Sequence, residues 1–227
     1  MRSILHVKIS WFLAALCLII LSTSGAAATR LVPSQYPTIQ AGLDASAAGD
    51  IVLVAAGTYT GAGNVGLMYR KDLVLRSESG PEQTVIDVED SETAGVLFWN
   101  AETRSAILDG FTVRRGLGSG GTVGGGGISC FSGSPTITNC ILRDNDGGAI
   151  WISSSPLIRE CLIEDNAFGI VVEGNGWPEV VSCTIRGGGN GIACWDESRP
   201  TIHNCLINGN YGWGVGLLGA PETEVVN

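Results

Sequence analysis

The sequence of 227 residues predicts an all-β fold, a right-handed parallel β-helix in which coils of about 22 residues stack into a solenoid. Three observations predict this fold: a fixed repeat, the alternation of apolar residues within each unit, and a glycine that begins the next strand. The repeat advances in steps of 21, 22 and 22 residues, at Pro135, Pro156, Pro178 and Pro200 and again at Cys140, Cys161, Cys183 and Cys205. Apolar residues alternate with the period of two of a strand, in runs too short for helices. The glycines are Gly148, Gly169, Gly191 and Gly214.

Equivalent residues of successive coils are expected to stack in columns, because each strand would pair with its equivalent about 4.8 Å away. Two columns are predicted to point into the core: Ile137, Ile158, Val180 and Ile202, and Leu142, Ile163, Ile185 and Ile207. An outward column alternates in charge, as stacked neighbours should, and consists of Arg143, Glu164, Arg186 and Asn208. Asn145, Asn166 and Asn210, interrupted by Gly188, are expected to hydrogen-bond along the axis.

The N-terminal residues 1–28 are predicted to be a signal peptide. Arg2 and Lys8 provide a basic start, an apolar run follows from Ile9 to Leu21, and small residues end at Ala28. An uncleaved membrane anchor is the alternative, although the apolar run is shorter than the roughly 20 residues that a spanning helix needs. The expected location is therefore secreted, periplasmic or cell-surface, with no transmembrane segment after cleavage.

Residues 29–60 are predicted to form an N-terminal cap and the first strand, and residues 61–227 the β-helix repeats. A short helix over residues 37–48, with Ile39, Leu43 and Ala47 on one face, would cover the open end of the stack. The first half contains weaker copies of the repeat, in which Gly110 is aligned with Cys140. The chain ends inside a coil, so the repeat region is predicted to be truncated at its C-terminal end.

The charge balance argues against a nucleic-acid partner. The net charge is −9, and the chain lacks the clustered cations that nucleic-acid phosphates require. It also lacks a polybasic surface for anionic lipids.

Six cysteines follow the signal peptide, and disulfides would be expected in an exported protein. However, side chains stacked in one column run parallel, which is poor disulfide geometry. Mostly free, buried thiols are therefore predicted, and the spacing does not resemble a zinc site.

Two groups of residues resemble known families. The stretch from Val32 to Gln40, continued by residues 49–54 and 57–59, resembles the opening of pectin-lyase-like β-helix proteins. The segment Leu108–Val113 and the Pro-Thr-Ile-x-Asn-Cys units are similar to bacterial exported right-handed β-helix repeat proteins. The resemblance implies the fold and leaves the chemistry open, because the fold hosts lyases, hydrolases, esterases, epimerases and adhesins.

The catalytic motifs of these enzymes are missing from the sequence. Gly-His-Gly and Arg-x-Lys segments do not occur, and Gly57-Thr58-Tyr59 lacks the glutamate of the esterases. The candidate for a metal site is a calcium cluster of Asp144, Asp146 and Asp165, in which Asp144 and Asp165 would lie one coil apart. The alternative is that these aspartates shape a turn. No other cofactor is expected.

Exposed tryptophans near the turns are the candidates for substrate binding. Trp177, Trp195 and Trp213 fall in or beside turns of successive coils, and aromatic faces flank sugar rings well. Asp196, followed by Glu197, and Arg199 lie in the same region. The alternatives are that the tryptophans cover the ends of the core and that the acidic pair is a solvated turn.

Two functions remain open after the sequence analysis. The first is a non-catalytic β-helix scaffold that binds polysaccharide or another cell-surface component. The second is a lyase or glycoside hydrolase on acidic polysaccharide, with weakly marked or missing catalytic residues. The missing motifs favour the scaffold.

Overall fold

In the computed structural model the described residues are 26–118 and 126–219, together with the backbone of 224–226. The strand β1 (Thr29–Val32) is followed by the helix α1 (Ile39–Ala45). Seven coils of three strands follow, and a last strand ends the described part. The strands, coil by coil, are β2 (Ile51–Val54), β3 (Gly57–Tyr59) and β4 (Leu67–Met68) in coil 1; β5 (Val74–Ser77), β6 (Thr84–Ser91) and β7 (Val96–Phe98) in coil 2; β8 (Ile107–Asp109), β9 (Thr112–Gly116) and β10 (Ile128–Cys130) in coil 3; β11 (Thr136–Thr138), β12 (Ile141–Arg143) and β13 (Ile150–Ile152) in coil 4; β14 (Leu157–Arg159), β15 (Leu162–Glu164) and β16 (Phe168–Val172) in coil 5; β17 (Glu179–Val181), β18 (Thr184–Arg186) and β19 (Asn190–Trp195) in coil 6; β20 (Thr201–His203), β21 (Leu206–Asn208) and β22 (Val215–Leu218) in coil 7; and finally β23 (Glu224–Val226).

The strands form three parallel sheets, and each strand pairs with its equivalent one coil away. Sheet 1 has the order β1-β2-β5-β8-β11-β14-β17-β20-β23, sheet 2 the order β3-β6-β9-β12-β15-β18-β21, and sheet 3 the order β4-β7-β10-β13-β16-β19-β22. Within a coil the chain passes from sheet 1 to sheet 2 to sheet 3. This arrangement confirms the predicted all-β parallel β-helix.

The core lies between the three sheets and includes the predicted columns. The column of Ile137, Ile158, Val180 and Ile202 is buried on sheet 1, and the column from Leu142 to Ile185 is buried on sheet 2, where Ile207 is partly buried. The predicted outward column is in register from Arg143 to Asn208. In that column Arg186 Nη2 lies 2.8 Å from Glu164 Oε2.

The bend between sheets 1 and 2 is a single residue with positive φ in each of the later coils. Asn139, Glu160, Ser182 and Asn204 have φ between 50° and 56°. Thr112 pairs with Ile141, so Gly110 (φ 82°) is the equivalent of Asn139, and Phe111 is the equivalent of Cys140. The predicted alignment of Gly110 with Cys140 was therefore wrong by one residue, because glycine occupies the left-handed position that it adopts without a steric penalty.

The glycines that begin the strands of sheet 3 are required by a close approach between coils. A Cβ on Gly169 would lie 2.4 Å from the carbonyl oxygen of Gly191, and a Cβ on Gly191 would lie 2.4 Å from that of Gly214. A side chain at Gly169 or Gly191 would therefore push neighbouring coils apart. Because Ile150 pairs with Ile170, the equivalent of Gly169 in coil 4 is Ala149, so the predicted place of Gly148 in this column was wrong by one residue.

Helix α1 packs against β1, β2 and β4 and covers the first coil. Thr38 caps its start by accepting a hydrogen bond from the N–H of Ala41 at 3.2 Å. Ile39 and Leu43 are buried in the common core, as predicted for a capping helix. The helix is shorter than predicted and ends at Ala45, which leaves Ala47 exposed.

The predicted signal peptide lies outside the described residues apart from positions 26–28, and so does the chain end at Asn227. Within the described ranges, no helix has the length and hydrophobicity to cross a membrane.

Candidate functional site

The third corner of the coil, where the strands of sheet 3 end and the chain turns back to sheet 1, brings aromatic side chains into one outward column. The backbone ladder of sheet 3 continues one residue past the strands, since the N–H of Ser153 donates to Cys130 at 3.0 Å and that of Glu173 to Ile152 at 2.9 Å. Strand alternation turns these residues away from the buried column that precedes them. We call this set the corner column, and it consists of Trp99, Phe131, Ser153, Glu173 and Trp195.

The first two members of the corner column form an exposed aromatic pair. The ring centroids of Trp99 and Phe131 lie 6.1 Å apart, with the planes at 52°. The two side chains are 37% and 49% exposed, so each ring presents a large part of its surface to solvent. The sequence did not reveal this pair, because Trp99 lies among the weaker copies of the repeat in the first half of the chain.

The last member of the corner column, Trp195, is held by a second aromatic contact. Its ring centroid lies 5.7 Å from that of Trp151 on sheet 3, in an edge-to-face arrangement at 76°. Both side chains are half-buried. Aromatic pairs of this geometry contribute about 0.5–1.5 kcal/mol beyond their buried area. Trp195 is therefore a fixed ring at the corner.

Two of the predicted binding residues, Trp177 and Arg199, lie next to each other at the same corner. They occupy equivalent positions in successive coils, directly before the repeated proline. The Cζ atom of Arg199 lies 5.8 Å from the centre of the Trp177 ring, within the range of a cation–π contact. The N–H of Trp177 donates to Ser155 Oγ at 3.2 Å, and the side chain is 58% exposed. The result is a flat, accessible platform on an ordered backbone.

Asp196 links two loops of this corner. Its Oδ2 accepts a hydrogen bond from the N–H of Gly174, one coil earlier, at 3.2 Å, and its φ of 58° places it in the left-handed region. The side chain is exposed, and Glu197 beside it is exposed as well. Asp196 therefore connects the loop of coil 6 to the loop that bears Trp177.

Trp213 lies at a different corner from Trp177 and Trp195. It stands between β21 and β22, where its N–H donates to Asn190 Oδ1 at 2.9 Å. Its ring leans over Gly216, since a Cβ there would lie 2.3 Å from a ring carbon. A pocket of about 210 Å³ is lined by Trp213, Val215, Gly216, Leu217 and Leu218. The three predicted tryptophans thus divide into two at the third corner and one elsewhere.

The predicted calcium ligands lie at the turn between sheets 2 and 3. Asp144 and Asp165 have φ values of 55° and 54° and occupy equivalent positions one coil apart, as predicted. Asp144 Oδ2 lies 3.9 Å from Arg143 Nε, and Asp165 Oδ1 faces the backbone of Gly187. Among the described residues, which include Asp146, no three histidine, cysteine, aspartate or glutamate side chains are grouped to hold a metal ion. The calcium site stays a prediction.

The cysteine column is a row of free thiols at the bend between sheets 1 and 2. Each thiol donates to the carbonyl two residues earlier, as Cys161 does to Arg159 at 3.2 Å. Contacts with the neighbouring thiols of Cys140 and Cys183, together with burial, raise the pKa of Cys161. Burial raises the pKa of Cys194, which lies on sheet 3 outside this column, to about 11. The thiols therefore serve as packing and as donors to backbone oxygens.

Comparison with known proteins agrees with this architecture. A model of the family described as the right-handed β-helix region matches residues 86–227. Among curated proteins, no sequence matches the chain. The match spans more than half of the chain, from β6 onwards, and contains the repeats from which the three parallel sheets are built. The protein belongs to the right-handed β-helix family.

Proposed function

We propose that this protein is a secreted or surface β-helix scaffold that binds polysaccharide or another cell-surface component without catalysis. The observation on which the proposal depends is the exposed Trp177 ring, backed by Arg199 and fixed through Ser155. A large aromatic face that stays in solvent has not been used to build the core. The rigid ladder beneath it reduces the entropy that binding would cost.

The proposed location follows from residues 1–28, which have the charge, apolar core and small-residue order of a signal peptide. Expression of the full chain in a bacterial host, with mass spectrometry of the exported product, tests this step. We expect a mature N-terminus at Thr29. Retention of residues 1–28 in a membrane fraction would support the anchor instead.

The binding proposal is tested by affinity electrophoresis of the mature protein in gels that contain a dissolved glycan, with and without calcium. We expect at least one glycan to retard the protein and Trp177→Ala to weaken the retardation by about tenfold, which corresponds to about 1.4 kcal/mol. Tyr211→Ala is the matched control, because Tyr211 is an exposed aromatic residue, at 91%, between β21 and β22 and thus at another corner. The same samples are assayed for reducing sugar and for unsaturated ends, because cleavage of a glycan would favour the lyase or hydrolase. An absence of retardation in every gel would contradict glycan binding.

A further inference from the structure

The corner column extends the binding surface from one platform to a strip along the axis. Neighbouring members are one coil apart, about 4.8 Å, so the four steps from Trp99 to Trp195 cover about 19 Å. Rings stand at both ends of this length, with Ser153 and Glu173 between them. Ser153 Oγ lies 3.3 Å from Glu173 Oε1, and both side chains are half-buried. The strip therefore has two hydrogen-bonding side chains between aromatic faces at its two ends, and a chain of sugar rings offers both hydroxyl groups and C–H faces to such a surface.

The loop that bears Trp99 is fixed by a buried carboxylate. Glu102 Oε2 accepts the N–H of Asn100 and Oε1 accepts the N–H of Arg70, both at 2.9 Å. The carbonyl of Glu102 also accepts the N–H of Ser134, at 2.7 Å, from the loop that follows Phe131. Two loops of neighbouring coils are thus tied together, so the aromatic pair is held in place before any ligand arrives.

The charges around the strip select among glycans. Residues 131–135, 153–156 and 173–178, the loops between the two aromatic ends, contain one charged residue, Glu173, and are otherwise made of serine, glycine, asparagine, proline and aromatic residues. Asp196 and Glu197 add exposed carboxylates at the far end. Of the nearby arginines, Arg70 pairs with Asp44 at 3.6 Å, Arg104 pairs with Glu179 at 2.9 Å, and Arg199 lies over Trp177.

A polyuronate or sulfated chain laid on this strip would place its anions against Glu173 and Asp196, while Arg70 and Arg104 already pair with Asp44 and Glu179. Like charges across an interface cost binding energy and exclude partners. A neutral glycan carries hydroxyl groups that serine, asparagine and a carboxylate can bond, and C–H faces that the rings can cover. We propose that the corner column binds a neutral polysaccharide chain lying parallel to the β-helix axis. This inference rests on the proposed function and narrows it to a ligand class.

The test compares neutral with acidic glycans in affinity electrophoresis at low ionic strength. The neutral probes are a soluble mixed-linkage β-glucan and a galactomannan, and the acidic probes are pectate and alginate. We expect retardation by a neutral glycan, weakened about tenfold or more by Trp99→Ala and by Phe131→Ala. Leu206→Ala, an exposed apolar residue on sheet 2, is the matched control and should leave retardation unchanged. Far-UV circular dichroism and thermal midpoints show which variants fold, and the two aromatic variants provide independent readings.

The outcomes separate the two proposals. Retardation by acidic glycans alone would overturn the neutral ligand class and leave glycan binding in place. Neutral binding that Trp177→Ala abolishes, while Trp99→Ala and Phe131→Ala leave it intact, would overturn the strip and retain the platform. A failure of every glycan to bind would overturn both. Glu173→Gln is expected to raise the affinity for pectate, because it removes the central anion; an unchanged affinity for pectate would show that this charge does not exclude acidic glycans.

Discussion

The side-chain amide of Asn145 donates a hydrogen bond to Oδ1 of Asn166, 2.9 Å away on the next coil. The same oxygen accepts the backbone N–H of Asn145 at 3.1 Å, and the amide of Asn166 donates to the carbonyls of Leu142 and Glu164 at 2.8 and 2.9 Å. Both asparagines are buried. The predicted asparagine column is confirmed here, and it connects two coils at the turn between sheets 2 and 3.

Asn166→Ala is expected to lower the free energy of unfolding by about 2–4 kcal/mol, because several buried backbone groups lose their partners together. Asn210→Ala is the matched control. Asn210 is half-buried and accepts from Gly188 at 3.2 Å, so about 1 kcal/mol or less should be lost. Urea denaturation followed by circular dichroism gives both values. Equal losses at the two positions would show that burial does not set the strength of the column.

Protonation of Asp87 is expected to lower the free energy of unfolding at low pH. It is buried, and its carboxylate accepts from Arg114 Nε at 3.0 Å and from Arg115 Nε at 2.7 Å. Burial by itself would raise the pKa of Asp87, but the hydrogen bonds from Arg115, Arg114 and the N–H of Glu89 outweigh it, and the pKa lies below 3.8. A carboxyl with a lowered folded-state pKa stabilises the protein above its unfolded pKa of about 3.9. That contribution is lost as the pH falls through the folded-state pKa.

We therefore expect Asp87→Asn to reduce the free energy of unfolding by about 1–3 kcal/mol at neutral pH, a range that allows for the partly exposed arginines. The difference from the wild type should shrink as the pH is lowered below about 4, where the wild-type carboxyl also becomes protonated. Asp109→Asn is the control, since Asp109 pairs with Arg76 at 2.7 Å at a more exposed site. Urea titrations at neutral pH and at low pH provide the comparison, and a constant difference would contradict the assignment to Asp87.

The columns could be predicted from the sequence because each depends on local alternation and on a repeat of constant length. Ile137, Leu142 and Asn145 have equivalents at fixed steps in the following coils, so their stacking needs no knowledge of the tertiary structure. Gly110 was misplaced because its coil has Phe111 in place of the column cysteine, and only strand pairing shows that Gly110 takes the left-handed bend.

The aromatic pair could not be predicted in the same way. Trp99 and Phe131 do not fall at a repeat step, chiefly because the segment between β9 and β10 is longer than its equivalents in the later coils, and only the register of sheet 3 brings the two residues together. Trp177 and Arg199, one full repeat apart, were both selected as candidates from the sequence. A search for aromatic residues directly after the strands of sheet 3 would have found Trp99 and Phe131.

The cysteine column allows a test of packing at two burial levels. Cys161 is buried, and its thiol donates to Arg159 at 3.2 Å and contacts the carbonyl of Ile137 at 3.8 Å. Cys205 makes the same pattern of contacts but is only half-buried. Cys161→Ala should lower the free energy of unfolding by about 1–2 kcal/mol, because it leaves a cavity and removes a hydrogen-bond donor. Cys205→Ala should lower the free energy of unfolding clearly less. Denaturant midpoints measured under reducing conditions test this, and equal losses for the two variants would contradict it.

The contact between Trp151 and Trp195 determines how firmly the end of the corner column is held. The rings meet edge to face at 5.7 Å, across the coil that lies between them, and neither side chain is fully exposed. A double-mutant cycle with Trp151→Ala and Trp195→Ala should give a coupling free energy of about 0.5–1.5 kcal/mol in urea denaturation. Trp99→Ala combined with Trp195→Ala is the control cycle, because about 19 Å separates those positions along the axis and their effects should add. Additive effects of Trp151→Ala and Trp195→Ala would mean that the two rings share no stabilising contact. The tryptophan at the end of the strip would then owe its orientation to the backbone alone.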